Sequence, residues 1–298
     1  MILGRVTQSI IFRTLTTSVD RLQRQLARAQ EEVSSQKKLL NASDDPAGAA
    51  QANRLRGENT ALKALDDGIG FGTAVLGAQD GALDQAGNLV ARAQEIATQQ
   101  ASGLTTPEAR QQASEEVAQI ERGMLTLANT QVAGRYVFGG LATGPQPFAN
   151  LDDPGFDPTT AYSGSTTPFS LPIGTGQTVT LTTPGDQVFG STITALDHLR
   201  TTLAAGTSPD TSVDELNVAG DALRAERANV GGRVTRLQDR SAQIGRLGDT
   251  ATSLLSGVED ADLTTAISQL VQLQTALQAT LASGSTLQQS ILDYLPTQ

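Results

Sequence analysis

A few features of this 298-residue chain have residue types and spacing that could carry chemistry: two acidic clusters, a single histidine and two glycine-rich stretches. Asp44-Asp45-Pro46 offers paired carboxylates for acid–base work or for a metal ion. No His and no third carboxylate lies nearby in the sequence, and a metal needs three or four ligands. The same acids fit a helix restart, with Ser43 or Asp44 capping the helix that Pro46 opens and the carboxylates favoured by its dipole. Glu259-Asp260-Ala261-Asp262 invites calcium, but it lacks the spacing and the glycine of a binding loop. A cap before the last helix accounts for it.

His198 is the only histidine, and neither a Cys nor a nucleophile-elbow Ser accompanies it, so no catalytic set can be assembled around it. Gly68-Ile69-Gly70-Phe71-Gly72 and Gly174-Thr175-Gly176-Gln177-Thr178 are fragments of phosphate loops. Both lack the lysine, the full spacing and the strand-then-helix setting that such loops require. Helix packing and a hairpin turn explain them. The expectation is a chain with no catalytic residues, no metal and no cofactor, which is a structural protein and not an enzyme.

Composition points the same way. The formal net charge of -10 disfavours nucleic acid and anionic membrane, both of which reward clustered Lys and Arg. Absence of cysteine excludes disulfides, thiolate metal sites and thiol catalysis. Aromatics are only 3% of residues, whereas Ala, Leu, Val, Gln, Ser and Thr suit long helices packed in pairs. The first residues, Met1-Ile2-Leu3-Gly4-Arg5, lack the apolar core of a secretory signal, and no stretch of about 20 apolar residues could span a bilayer.

The elements that position these residues are read from periodicity. Phe12, Leu15, Val19, Leu22, Leu26, Ala29 and Val33 form a heptad seam. A second seam runs through Leu62, Leu65, Ile69, Gly72, Leu76, Gln79, Leu83, Ala86, Val90, Ala93 and Ala97. Thr106-Pro107-Glu108 is a helix start, a capping hydroxyl followed by proline at the first helical position, and Ser208-Pro209 repeats it. Between these helical flanks no Lys or Arg occurs from Arg135 to Arg200, and 7 of the 11 prolines fall from Pro145 to Pro184. Gln177-Thr178-Val179-Thr180-Leu181-Thr182 alternates as a half-buried strand does.

The predicted fold is mainly α with a β-rich insertion. Residues 1–40 and 263–298 are expected to form a terminal coiled-coil domain, 41–139 with 195–262 a helical rod, and 140–194 an outer β-rich domain. A pair of terminal helices leaves flanking apolar positions uncovered, and other copies of the chain are the simplest cover. The candidate assembly surface is therefore Phe12, Leu15, Val19, Leu22, Leu26 and Val33 with Leu263, Ile267, Leu270, Leu277 and Leu281.

Three segments carry a resemblance. Asn41-Ala-Ser-Asp-Asp-Pro-Ala-Gly-Ala-Ala50, Leu127-Ala-Asn-Thr-Gln-Val-Ala-Gly-Arg-Tyr-Val-Phe-Gly-Gly140, and the C-terminal run from Glu259 through Leu277-Gln-Ala-Thr-Leu281 to Leu292-Asp-Tyr-Leu295 resemble the bacterial flagellin and hook-associated protein family, most nearly its hook–filament junction members. The chain departs from that pattern at Ala42, where the family often has proline, and at Gln36, where it has glycine before lysine.

The resemblance implies an inner coiled coil of the terminal helices, a rod and an outer domain. It also implies a homo-oligomeric, ring-like or helical assembly in the extracellular flagellum. Partners would be hook-associated protein 1, flagellin, an export chaperone and the type III export apparatus. The alternative within the same class is a flagellin filament subunit.

Overall fold

The computed structural model describes residues 2–292 apart from 103 and 175, with side chains for residues 10 and 12–286. Its elements are α1 (Ile2–Ser35), α2 (Pro46–Gln100), α3 (Pro107–Ala128), β1 (Gln131–Val132), β2 (Arg135–Tyr136), β3 (Ser170–Gly174), β4 (Gln177–Thr180), α4 (Gly185–Ala204), α5 (Asp210–Glu259) and α6 (Leu263–Leu292). The strands form two separate two-stranded antiparallel sheets. The chain divides into two compact units, Met1–Thr60 with Gly248–Gln298 and Ala61–Leu247. The protein is thus mainly α, with a small β component in the middle of the sequence.

In the unit Ala61–Leu247, the seam read from the sequence becomes the core. Ile69, Leu76, Gln79, Leu83, Ala86, Val90, Ala93 and Ala97 of α2 are all buried, against Val117, Ile120 and Met124 of α3, the apolar face of α4, and Leu216, Leu223 and Val230 of α5. The Thr106-Pro107 signal opens α3 as its composition requires: the Thr106 hydroxyl accepts from the Ala109 amide at 3.3 Å, and Pro107 fills the first helical position. Such a cap contributes about 1 kcal/mol. Gln79 is the one polar residue in the α2 seam, and it has a reason to be there. Its fully buried Nε2 donates to the carbonyls of Val137, at 2.8 Å, and Leu181, at 2.9 Å.

The stretch 140–194 is β-structured only in part. The alternating segment forms β4, paired with β3 and burying Val179, with Leu181 buried just after it. From Gly185 the period changes to that of a helix, and Val188, Phe189, Thr192, Ile193, Leu196, Leu199 and Leu203 form the buried face of α4. The β-branched Thr and Ile residues there favour a strand locally, but a continuous apolar stripe facing α3 overrides that preference.

Few as they are, the aromatic rings are concentrated at this junction. Phe138 meets Phe189 edge to face at 4.8 Å, and Phe148 meets Phe189 at 6.3 Å and Tyr162 at 5.1 Å. The Phe138-Gly139-Gly140 run knots the backbone around them. Gly185 donates to the Phe138 carbonyl, Ser165 to that of Gly139, and Leu141 to that of Thr167. Just upstream, Ala133 and Gly134, both at positive φ, make the two-residue turn joining β1 to β2.

Gly140 and Gly134 therefore differ in a measurable way. Gly140 has φ +61, and a Cβ there would lie 2.1 Å from the Ser165 carbonyl oxygen. Gly134 has φ +75 with open space around it. Gly134→Ala is expected to cost about 1 kcal/mol from backbone conformation alone. Gly140→Ala should cost about 3 kcal/mol or more, because two backbone segments must move. Urea unfolding of the two variants checks the ordering; equal losses would contradict it.

Candidate functional site

The unit Met1–Thr60 with Gly248–Gln298 contains the two terminal helices, and they run antiparallel side by side. Two points fix the register. Lys37 bridges Asp260 at one end, and towards the other Gly284 sits against Leu15, where a Cβ would lie 2.8 Å from Leu15 Cδ2. Leu15, Val19, Leu22, Leu26 and Val33 of α1 are half-buried and Ala29 is buried. On α6 the matching face is Ala266, which is buried, then the half-buried Leu270, Leu273, Leu277, Thr280 and Gly284. Both sets follow alternating steps of three and four, the spacing of a coiled-coil seam.

The predicted surface residues therefore divide. Leu15, Val19, Leu22, Leu26, Val33, Leu270 and Leu277 line the pair within one chain. Phe12, Leu263, Ile267 and Leu281 do not, and remain 64%, 37%, 48% and 52% exposed. Val271, absent from the sequence-based set, joins them at 52%. Leu263, Ile267 and Val271 stand four residues apart and so share one outer stripe of α6. Gln274 is exposed and lies off the seam, whereas the half-buried Leu273 fills it. The sequence signal for this was present: the series Ala266, Leu270, Leu273, Leu277 is a better heptad than one forced through Leu263 and Ile267. The motif residues Asp293–Leu295 lie outside the described residues.

A polar node closes the pair at its base. Glu259, the last residue of α5, is 4% exposed. Its carboxylate takes Lys37 Nζ at 2.9 Å and also pairs with Arg56 of α2. Its carbonyl accepts from the Lys38 amide at 2.8 Å, the Gln36 carbonyl accepts from Ala261, and Lys38 Nζ donates to the Gly257 carbonyl at 2.7 Å. One acidic side chain thus joins the end of α5 to the segment after α1 and to the first turns of α2. A buried carboxylate needs such charged partners, because an unpaired one is strongly disfavoured.

Each acidic cluster acts as a cap. Asp262 opens α6, its Oδ1 accepting from the amides of Thr264 and Thr265 and its Oδ2 from the Thr265 hydroxyl at 3.0 Å. The Thr265 hydroxyl, together with these amides, holds the carboxyl below its usual range. At α2 the cap is Asp45, not Ser43 or Asp44: its Oδ1 accepts from the Gly48 amide at 2.9 Å. Asp44 instead pairs with Arg28 at 3.0 Å.

His198 is exposed, with Nδ1 3.0 Å from a Glu215 carboxylate oxygen. Gly68 to Gly72 lies inside α2, and Gly176 turns the β3–β4 hairpin at φ +70; Thr175 is outside the described residues. Among the described residues no group of three His, Cys, Asp or Glu gathers to hold a metal, and no helix is long and apolar enough to cross a membrane.

Long helices, with α1 paired on α6, and a small β-bearing middle define a mainly α fold class. Residues 7–143 match the family described as the bacterial flagellin N-terminal helical region. Over nearly its whole length the chain is similar to flagellar hook-associated protein 3 of Salmonella typhimurium, with 24% identity covering 97% of this chain and 87% of that one. It is also similar to the flagellar filament 30.7 kDa core protein of Treponema maltophilum, 24% identical over 89% of this chain and 90% of that protein. Its fold matches the crystal structure of Bacillus cereus FlgL with a TM-score of 0.59, over 68% of this chain and 99% of that one at 17% identity. The resemblance to flagellin and hook-associated proteins seen in the motifs is therefore shown by the family match, the relatives and the fold together. Those relatives are flagellar components.

The departure at Gln36 has a structural counterpart. Gln36 stands at φ 60, in the left-handed region that favours glycine, and its carbonyl receives the Ala261 amide at 2.9 Å. Gln36→Gly keeps that bond and is expected to stabilise the node by up to about 1 kcal/mol. Gln36→Val should weaken it by at least as much. Hydrogen exchange at the Ala261 amide reads both changes, and slower exchange in the valine variant would contradict the expectation.

Proposed function

We propose that this chain is the structural subunit that joins the hook of the bacterial flagellum, through hook-associated protein 1, to the flagellin filament. It acts by assembly and not by catalysis. The observation that carries this reading is the apolar stripe left outside the α1–α6 pair: Phe12, Leu263, Ile267, Val271 and Leu281 are exposed on helices whose inner faces are already occupied. Burying one such half-exposed side chain against a neighbouring copy is worth about 1 kcal/mol, and repetition along a helix and around a ring makes the sum large.

In this reading residues 1–40 and 263–298 form the inner, assembling domain, 41–139 with 195–262 the rod, and 140–194 the outer domain. The chain reaches the extracellular flagellum by type III export with a chaperone, and its neighbours are copies of itself, hook-associated protein 1 and flagellin. Near-full-length likeness to a hook-associated protein 3 supports this assignment. The similarity to a filament core protein supports the second reading, a filament subunit. Seeded self-assembly separates the two: a junction subunit does not extend filaments.

The stripe and the seam make different predictions. Ile267→Asp adds a charge to an already exposed position, so melting of the free chain should shift by no more than about 0.5 kcal/mol. In the cell the same change should abolish motility and release flagellin into the medium. Leu270→Asp, inside the helix pair, should also loosen α1 from α6 in the free chain while leaving the melting of 61–247 unchanged. Normal swimming of the Ile267→Asp strain would sink the assembly role of the stripe.

A further inference from the structure

Where α3 meets α4, two carboxylates share one guanidinium. Glu121 of α3 is fully buried, and its Oε2 accepts from Arg200 Nε of α4 at 2.9 Å. Arg200 also pairs through Nη2 with Asp197, one turn earlier on its own helix. The Asp197 and Arg200 side chains are 20% and 27% exposed, so both are largely enclosed. The second oxygen of Glu121, Oε1, is buried with no hydrogen-bond partner.

The nearest other charges do not repair this imbalance. Arg122, the next residue on α3, is turned to Asp152 at 3.1 Å. Glu115 and Asp153, with Arg122, Asp152 and Arg200, line a polar cleft of about 430 Å³ that reaches as far as Arg200. Fully ionised, the cluster holds two negative charges on one positive charge, with one carboxylate oxygen stripped of solvent. That arrangement is costly, and a single proton on Glu121 removes the excess negative charge.

We propose that the α3–α4 contact is a proton-operated latch: Glu121 carries a proton when the two helices are closed, and losing it eases them apart. The cleft brings solvent up to Arg200, the guanidinium that Glu121 shares with Asp197. Burial is the largest influence on the Glu121 carboxyl and pushes it up to about 7. Arg200 pulls the other way, and Asp197 adds to the push. Arg200 itself stays charged; burial disfavours its charge, but the two carboxylates more than restore it.

An unfolded glutamate titrates near 4.5, so between 4.5 and about 7 the folded chain binds the extra proton. The stabilisation from this group is complete below the unfolded value and is lost as pH rises through the folded one. That is the reverse of an ordinary Arg-paired carboxylate, whose contribution is lost on acidification.

The test is the proton balance of unfolding, measured calorimetrically on the full chain at pH 6 in buffers of different ionisation enthalpy. With the two titration points above, Glu121 releases about 0.9 proton on unfolding at that pH. Glu121→Gln should remove that release and flatten the fall in melting temperature between pH 5 and 8. Asp197→Asn leaves Arg200 to Glu121 alone, so proton uptake should move to lower pH and the release at pH 6 should shrink. Amide exchange of α3 and α4, corrected for its intrinsic pH dependence, should quicken above neutrality in wild type and not in Glu121→Gln. Equal proton release in wild type and a folded Glu121→Gln overturns the latch. If that variant does not fold, an unchanged release in Asp197→Asn overturns it instead.

Discussion

An α-helix with a single apolar stripe is satisfied by one neighbour, but α1 and α6 carry more apolar surface than each can cover on the other. The seam takes Leu15, Leu22, Leu26, Leu270, Leu273 and Leu277. Ile267, Val271 and Leu281 remain in water on the outer face. A fixed register makes this division permanent. With Lys37 held to Asp260 and Gly284 packed on Leu15, neither helix can rotate to exchange its exposed side chains for its covered ones. The uncovered stripe is thus a consequence of the pairing and not an accident of composition.

Two polar residues of the interior serve this economy of faces. Glu259 ties down the base of the terminal pair through Lys37 and Arg56. Gln79 interrupts an apolar seam to hold two backbone carbonyls at the point where the β segments meet α2. In each case a side chain neutralises groups that irregular backbone or close helix ends would otherwise leave unpaired. Helix caps at Asp45, Thr106 and Asp262 do the same for the first turns. Acidic clusters that could have been catalytic or metal-binding are accounted for by this need alone.

The cluster at Glu121 differs because its pairing is incomplete. Most ion pairs here lie on the surface, such as Arg92 with Glu116, where solvent screening leaves them worth little. Glu121 has no solvent to screen it and only half of a guanidinium to answer it. In the proposed latch an unbalanced group of this kind makes the α3–α4 contact sensitive to pH, while the terminal pair rests on apolar contacts and on a carboxylate answered by two cations.

What the sequence determined by itself was whatever depends on local periodicity and local caps. The helical flanks, the α2 seam from Ile69 to Ala97, the start at Thr106-Pro107, the α1 heptad and the strand at Gln177 follow from spacings within a single segment, and so does the likeness to flagellar proteins carried by its motifs. Tertiary structure decided everything that depends on which neighbour a face meets. Thr192 and Ile193 look strand-like alone but complete the face of α4 that packs on α3. Leu263 and Ile267 share α6 with Ala266, Leu270, Leu273 and Leu277; the heptad spacing favours the second set, and the register against α1 supplies the neighbour that covers it. The partners of Glu121, Glu259 and Gln79 carried no sequence signal, because they lie 79, 222 and 58 residues away, at Arg200, Lys37 and Val137. Periodicity reports that a face is apolar; the identity of what covers it is a long-range fact that only the folded chain contains.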